Sequence, residues 1–317
     1  MGTVTVYNFS YGLLNPVLGY AISCLGSFLG LRCVTRARVY TGRARMGWLA
    51  LAAVSLGAAA IWAMHFIAML GFTIPGQQIR YNVPLTIVSM LVAIAVVGVG
   101  LAIVSYGRGG MLPLLTGGVI VGIGVASMHY MGMAAMSMPD SVHYKTSLFL
   151  VSIVIAIVAG TAALWAGTQV RGITATIVAS LIMGIAVSGM HYTGMAAMYL
   201  HADPTSSMAN MSGSTASSFI VPLLFGISLL TFALTLVISL SPTEDEIAED
   251  TMLEQRMRTG WTGEHRSSTP SSSAFSAPDR RPSSGTMSSG GSAWQRPSRF
   301  RSGSDDQSQS QRLHGRE

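Results

Sequence analysis

The first 240 residues contain seven long apolar stretches separated by short polar segments. Each stretch is close to the roughly 20 residues that an α-helix needs to cross a bilayer. None alternates between apolar and polar residues as membrane β-barrel strands do, and none contains Lys, Arg, Asp or Glu. The pattern predicts an all-α, polytopic membrane protein with seven transmembrane helices near residues 11–31, 47–71, 84–106, 112–138, 147–167, 174–200 and 219–240.

The composition excludes a soluble globular enzyme. Only 10% of the 317 residues are charged, against roughly a quarter in a soluble domain. Eleven of these charges fall in residues 1–240, too few to cover a wetted surface. The two cysteines, Cys24 and Cys33, are too few for a disulfide framework or a four-thiolate zinc site, so we interpret them as structural.

Positive charges fall on alternate connections between the predicted helices. The first connection holds five arginines, and the third and fifth hold Arg108 and Arg171, without any acidic residue. Because positive loops stay in the cytoplasm, we expect the N-terminus outside and the C-terminus in the cytoplasm. Trp48 and Trp165 then lie at cytoplasmic helix ends, where interfacial aromatic residues are common.

The chain changes character after residue 240. Residues 241–258 form an acidic cytoplasmic segment, and we expect its acidic residues to begin a short helix that continues to about Arg258. Residues 259–317 are rich in Ser, Gly, Pro and Arg, a composition that buries too little apolar surface to fold, so we expect a disordered cytoplasmic tail. The tail lacks the aromatic interleaving of a nucleic-acid site, and no nucleic acid is expected as a partner.

A Met-His pair recurs near the C-terminal end of the second, fourth and sixth predicted helices. The copies begin at Met64, Met128 and Met190, at spacings of 64 and 62 residues. Each repeat is therefore a pair of helices, in which the first carries the motif across the membrane and the second crosses back. This arrangement predicts three internal helix-pair repeats with parallel motif helices.

Helical periodicity places a methionine beside each histidine. At about 100° per residue, positions four and seven after the histidine fall on its stripe of the helix, whereas the preceding methionine lies about 100° away. Small residues seven positions earlier, Ala58, Gly122 and Gly184, would let the helices approach closely. The candidate metal ligands are His65, His129, His191, Met69, Met133, Met195, Met64, Met128, Met190, Met136 and Met198.

The three histidines lie at matched depth, roughly 6–9 Å from the midplane in the outer half of the bilayer. A single intramembrane histidine is often a packing residue, but three at one depth favour a shared site. Imidazole and thioether together favour copper, especially Cu(I), and haem is the less favoured alternative because it needs a large cavity. His143 and His201 follow motif helices in outer loops; we interpret them as solvated, with metal capture as the alternative.

The motifs resemble those of the bacterial MHYT-domain family of integral membrane sensors. Met-His-Tyr-Thr is verbatim at residues 190–193, whereas the copy at 128–131 ends in Met and the copy at 64–67 has Phe and Ile. The resemblance implies a seven-helix sensory module, residues 1–240, in the bacterial cytoplasmic membrane. It further implies copper binding through Met64, His65, Met128, His129, Met190 and His191, and sensing of oxygen, carbon monoxide or nitric oxide.

Many members of that family carry a cyclase, phosphodiesterase or transcription-factor output domain behind the membrane part. The 77 residues after Leu240 have too little complexity to house one, so we expect output through a separate cytoplasmic partner. No paired carboxylates, Ser-His-Asp arrangement or phosphate-binding glycine loop suggests an enzyme. The alternative interpretation is a copper-handling or transport protein, because methionine-lined paths suit Cu(I).

Overall fold

The computed structural model describes residues 5–107, 109–139, 141–201, 213–241 and 252–257. The chain divides into two units, residues 1–259 and 260–317. The second unit, the predicted tail from 259 and most of the acidic segment 241–258 lie outside the described residues. Within that segment, residues 252–257 are helical.

Seven helices in the described part of the chain are long and apolar enough to cross a membrane, as predicted, and the chain is a multi-pass membrane protein. The second is α-helical at both ends and π-helical over Ser55–Ala63, and the seventh begins with a π-helical turn, Ala216–Ile220. In chain order they are α1 Leu14–Val39, α2 Gly42–Met69, α3 Val83–Tyr106, α4 Met111–Ala134, α5 Thr146–Gln169, α6 Ile173–Ala197 and α7 Ala216–Leu240.

The first connection is much shorter than the apolar pattern indicates. α1 continues to Val39 and α2 begins at Gly42, so the arginines predicted to lie in a loop are in helices instead. Arg36 is buried, and its Nη2 donates to the carbonyl oxygens of Ile238 at 2.7 Å and Ser241 at 3.0 Å. A hydropathy pattern ends a predicted helix at the first charged residues. The helix itself can continue past them, because the long side chain of an arginine carries its charge to a polar partner.

Six helices form a ring in which each packs against the next, and α6 closes the ring against α1. The motif helices α2, α4 and α6 also contact one another across the ring. The helices between them are α3, α5 and α1, while α7 packs on α1 and α2. The third repeat is a helix pair along the chain, α6 followed by α7, as predicted, but in the ring α1 rather than α7 lies between α6 and α2.

Small residues set the distance between ring neighbours, as the sequence predicts. A Cβ atom on Gly122 of α4 would lie 2.3 Å from the Cα of Ile157 on α5. One on Gly184 of α6 would lie 2.6 Å from the Sγ of Cys24 on α1. A side chain at either position would force the helices apart, and with them the histidines seven residues further on.

In the described parts of the three connections that follow α2, α4 and α6 there are five short strands, and none was predicted. β1 (Arg80–Tyr81) pairs antiparallel with β2 (Met136–Ser137) and with β5 (Ser214–Thr215). A second antiparallel pair joins β3 (Ser141–Tyr144) to β4 (Met198–His201). With two to four residues each, the strands are too short for a period-two pattern. We call the end of the bundle that carries them the histidine end.

Candidate metal centre

The three motif histidines meet inside the histidine end of the bundle. The Nδ1 atom of His65 lies 3.0 Å from that of His191 and 3.0 Å from that of His129, and the last pair is 3.4 Å apart. Each ring is at most 1% exposed. The residues lie four to six positions before the ends of α2, α4 and α6, so helices in matched register bring them to one point.

The rings stand almost perpendicular to one another. Their centroids are 4.8–5.1 Å apart and their planes cross at 80–89°. Each Nδ1 has one in-plane site, which holds either a proton or a lone pair. Three such atoms in mutual contact cannot all form normal hydrogen bonds, because at least one contact joins two protons or two lone pairs. A cation at the centre would accept all three lone pairs at once.

The spacing of the three nitrogens suits a transition-metal ion. The point equidistant from them lies about 1.8 Å from each, close to the roughly 2.0–2.1 Å of a metal–imidazole bond. These three residues also form the group of possible metal ligands found in the described part of the chain, with ligand atoms within 4.8 Å of one another. The residues present therefore fit a bound metal ion.

Two glycines make room for the rings. A Cβ atom on Gly132 would lie 2.4 Å from Nε2 of His65, and one on Gly194 would lie 2.3 Å from Nε2 of His129. Both nitrogens are buried without a hydrogen-bond partner among the described residues. Each glycine lies three residues after the histidine of its own motif, so one motif accommodates the ring of another. The first copy has Ala68 at this position.

Aromatic side chains enclose the cluster on the α2 side. Phe66 meets the His65 ring edge-on at 4.8 Å between centroids, and Trp62 packs on Phe66 at 4.5 Å. The Trp62 indole N–H donates to the hydroxyl of Ser89 at 3.0 Å, which fixes this wall to α3. No acidic residue occurs in the seven helices. The ligand set is therefore electrically neutral when the imidazoles are neutral.

All eight predicted methionine ligands are buried, but only six of them lie in helices. Six lie on the motif helices, at 1–4% exposure, namely Met64, Met69, Met128, Met133, Met190 and Met195. The helical-register argument is wrong for Met136 and Met198, because α4 ends at Ala134 and α6 at Ala197 and these two residues begin β2 and β4. Metal binding by any methionine stays a prediction.

An apolar cavity of about 50 Å³ lies inside the ring of helices. Met190, which precedes His191, contributes to its wall, and Met183 is the other sulfur-bearing residue of the lining. The remaining wall is mostly aliphatic, with small residues such as Ala156 and Gly160 on α5. The cavity therefore offers space for a small apolar molecule next to the motif of α6.

Sequence reasoning assigned no role in the site to Gly132, Gly194 and Phe66. The signal for the glycines is their fixed position three residues after a motif histidine in two copies. Without the tertiary structure, this signal is indistinguishable from ordinary helix packing. Cys24 and Cys33 are free thiols on α1, and Cys33 is buried.

The fold and the site together define a seven-helix membrane protein with a buried cluster of three histidines from three helical repeats. The chain belongs to the MHYT family, described as a bacterial signalling protein N-terminal repeat, whose sequence model matches residues 59–117, 122–180 and 184–248. Each match contains one of the three histidines. No solved structure matches the chain.

Curated relatives include signalling proteins of two bacteria. The chain is 37% identical over 199 residues to the cyclic di-GMP phosphodiesterase NbdA of Pseudomonas aeruginosa, covering 61% of this chain and 25% of the relative. It is 33% identical over 236 residues to the bifunctional diguanylate cyclase/cyclic di-GMP phosphodiesterase MucR of the same species, covering 73% and 34%. The signaling protein YkoW of Bacillus subtilis is 32% identical over 222 residues, covering 67% and 27%. The chain thus spans a quarter to a third of these relatives' lengths.

Proposed function

We propose that this chain is a non-catalytic membrane sensor that binds copper through His65, His129 and His191 and responds to oxygen, carbon monoxide or nitric oxide. The observation that carries the proposal is the meeting of three buried Nδ1 atoms within 3.4 Å of one another. Three lone pairs directed at one point are unfavourable in an apolar interior unless a cation or proton lies between them. Copper held there would supply a coordination position for a diatomic ligand.

The neutral ligand set favours the lower charge state of the metal. Burial of an uncompensated charge is costly, and the cost rises with the charge. Three imidazoles leave a single positive charge on Cu(I) but two on Cu(II) or zinc. Imidazole and thioether also suit the softer ion, so the nearby buried methionines support the same assignment. Haem stays the less favoured alternative.

The apolar cavity supports a small uncharged ligand rather than a transported ion. Its wall is mostly aliphatic, and sulfur comes only from Met183 and Met190 among its lining residues. A diatomic gas partitions into such space, whereas a copper ion would lack ligands along it. We therefore propose sensing over copper transport. Copper uptake into proteoliposomes would favour transport instead.

Helix packing offers a route from the site to the C-terminal side of the bundle. α1 packs between α6 and α2, which carry His191 and His65. Near its other end, Arg36 of α1 donates to the carbonyl oxygens of Ile238 in α7 and of Ser241, which directly follows α7. With the predicted orientation, a shift of α1 relative to α2 and α6 would reach the cytoplasmic end of α7. We propose that a separate cytoplasmic partner receives the signal, in keeping with relatives named for cyclic di-GMP turnover.

The test compares the metal content of the full chain with that of site variants, purified from membranes in mild detergent. We expect copper to be retained by the wild-type chain after desalting and lost when His65, His129 and His191 are all changed to Ala. Because this variant could fold poorly, the single change His129→Gln serves as the second variant, with circular dichroism as the folding check. Equal copper in folded wild-type and variant protein would overturn the site.

Gas sensing is tested separately by infrared spectroscopy of the reduced, copper-loaded chain under carbon monoxide. We expect a carbon monoxide stretching band in the wild-type protein that is absent from folded His129→Gln. Copper binding without such a band would retain the metal site and refute gas sensing.

A further inference from the structure

The strand pair β3–β4 carries a second histidine pair, separate from the buried cluster. Ser141 is paired with His201 and His143 with Tyr199, so His143 and His201 are diagonal neighbours across the two strands. Residues alternate between the two faces of a strand. The histidines and Tyr199 therefore share one face, and the more buried Leu200 lies on the other.

The ring geometry of this pair matches that of the buried cluster. The rings of His143 and His201 have centroids 5.2 Å apart and planes that cross at 88°, against 4.8–5.1 Å and 80–89° in the cluster. Two imidazoles at this separation bring nitrogens close enough to share one ion after small side-chain rotations. Tyr199 packs against both rings, at 5.6 Å and 5.4 Å between centroids, and holds them together.

One nitrogen of the pair is buried and unused. The Nδ1 atom of His201 has no hydrogen-bond partner within the described ranges, although it is shielded from solvent. His143 is exposed, so an ion can reach the pair from solution. A buried polar atom without a partner is costly, and a bound cation would satisfy it.

We propose that His143 and His201 form an exchangeable site for a divalent first-row transition ion, Cu²⁺ or Zn²⁺, on the surface of the histidine end. Imidazole is a preferred ligand of both ions, and water completes the coordination at an exposed position. β4 directly follows α6, so the site lies ten residues beyond His191 on the same segment. It differs from the buried cluster in having two imidazoles and contact with solvent. The proposal does not depend on copper binding at the cluster.

The competing explanation is aromatic packing, since cross-strand ring pairs stabilise sheets without any ligand. Substitution by Phe separates the two, because it keeps a ring of similar size but removes both nitrogens. The double variant His143→Phe, His201→Phe should therefore keep the packing and lose the ion. The single change Tyr199→Phe is the matched control, because it retains all three rings and both imidazoles.

The experiment uses the full chain in lipid nanodiscs, with Zn²⁺ as the probe in calorimetric titration and Cu²⁺ in electron paramagnetic resonance. We expect the double Phe variant to bind at least tenfold more weakly than wild type and to lose the nitrogen hyperfine pattern of bound Cu²⁺, while Tyr199→Phe keeps both. All three proteins share His265 and His314 near the C-terminus, so any background binding there is common to them. Indistinguishable titrations of wild type and the double variant would overturn the proposal. Copper retained after desalting reports on the buried cluster separately.

Discussion

The close fit of the imidazoles against glycine gives the sharpest prediction. In Gly194→Ala the new Cβ would lie 2.3 Å from Nε2 of His129. To reach a normal contact of about 3.5 Å, the ring has to move by about 1 Å. The ring is enclosed, because His129 is fully buried among His65, His191 and Tyr130. The displacement therefore changes the distances from its Nδ1 to the other two nitrogens.

The expected loss of metal affinity in Gly194→Ala follows from how little a metal site tolerates changes in ligand distance. Ligand distances within about 0.2 Å of the preferred value are needed, so a shift of about 1 Å effectively removes His129 from the site. Disturbing the residues that orient a ligand typically weakens binding by about 10–100-fold, which corresponds to about 1.4–2.7 kcal/mol. Overpacking costs about 1–3 kcal/mol, and the helix preference for Ala over Gly returns about 1 kcal/mol. The variant should therefore fold.

The assay is competition for Cu(I) between the purified chain and a chromophoric chelator, with thermal unfolding measured in parallel. Gly189→Ala is the matched control, because it lies on the same helix and a Cβ there meets nothing within 4 Å. We expect Gly189→Ala to keep the wild-type affinity. A folded Gly194→Ala protein with the affinity of the control would refute the reasoning that ring position limits metal binding.

Three further predictions concern the ends of the bundle. Arg36→Ala should lower the free energy of unfolding by about 1.5–3 kcal/mol for each charge-assisted hydrogen bond lost. Arg43→Ala is the control, because Arg43 is exposed, and it should leave the free energy of unfolding unchanged. Equal denaturation midpoints for the two variants would contradict this prediction. Burial raises the pKa of Tyr81 from 10.0 to about 12, so its contribution to stability is complete below pH 10 and is lost as the pH rises towards 12. The check is an absorbance titration of tyrosinate in wild type and in Tyr81→Phe. If the two proteins show the same absorbance change at high pH, the raised pKa of Tyr81 is refuted. The predicted membrane orientation places Gln78 outside the cell and Thr41 in the cytoplasm. An impermeant thiol reagent on whole cells should therefore label Gln78→Cys but not Thr41→Cys, each in a cysteine-free background. The reverse labelling would show the opposite orientation.

The expectation that the three motif histidines lie together is confirmed, because their positions follow from local geometry, whereas metal binding there stays a prediction. His65, His129 and His191 were placed together because depth along a helix depends only on the rise per residue and on where the apolar stretch begins. The same reasoning failed for Met136 and Met198, since it assumed that the helices continue. Both helices end where strand pairing with distant segments becomes available, and a local pattern contains no information about that pairing.

The sequence by itself determined that seven apolar segments form membrane helices and that three of them carry a histidine at one depth, because segment length, charge and repeat spacing are properties of the chain. Only the tertiary structure decided that Nδ1 of each ring turns to the centre, that Gly132 and Gly194 accommodate rings from neighbouring repeats, and that α1 closes the ring. These features depend on which helix faces meet, and many faces of an all-apolar helix are chemically alike. Close packing selects among them, and it acts between residues far apart in the chain.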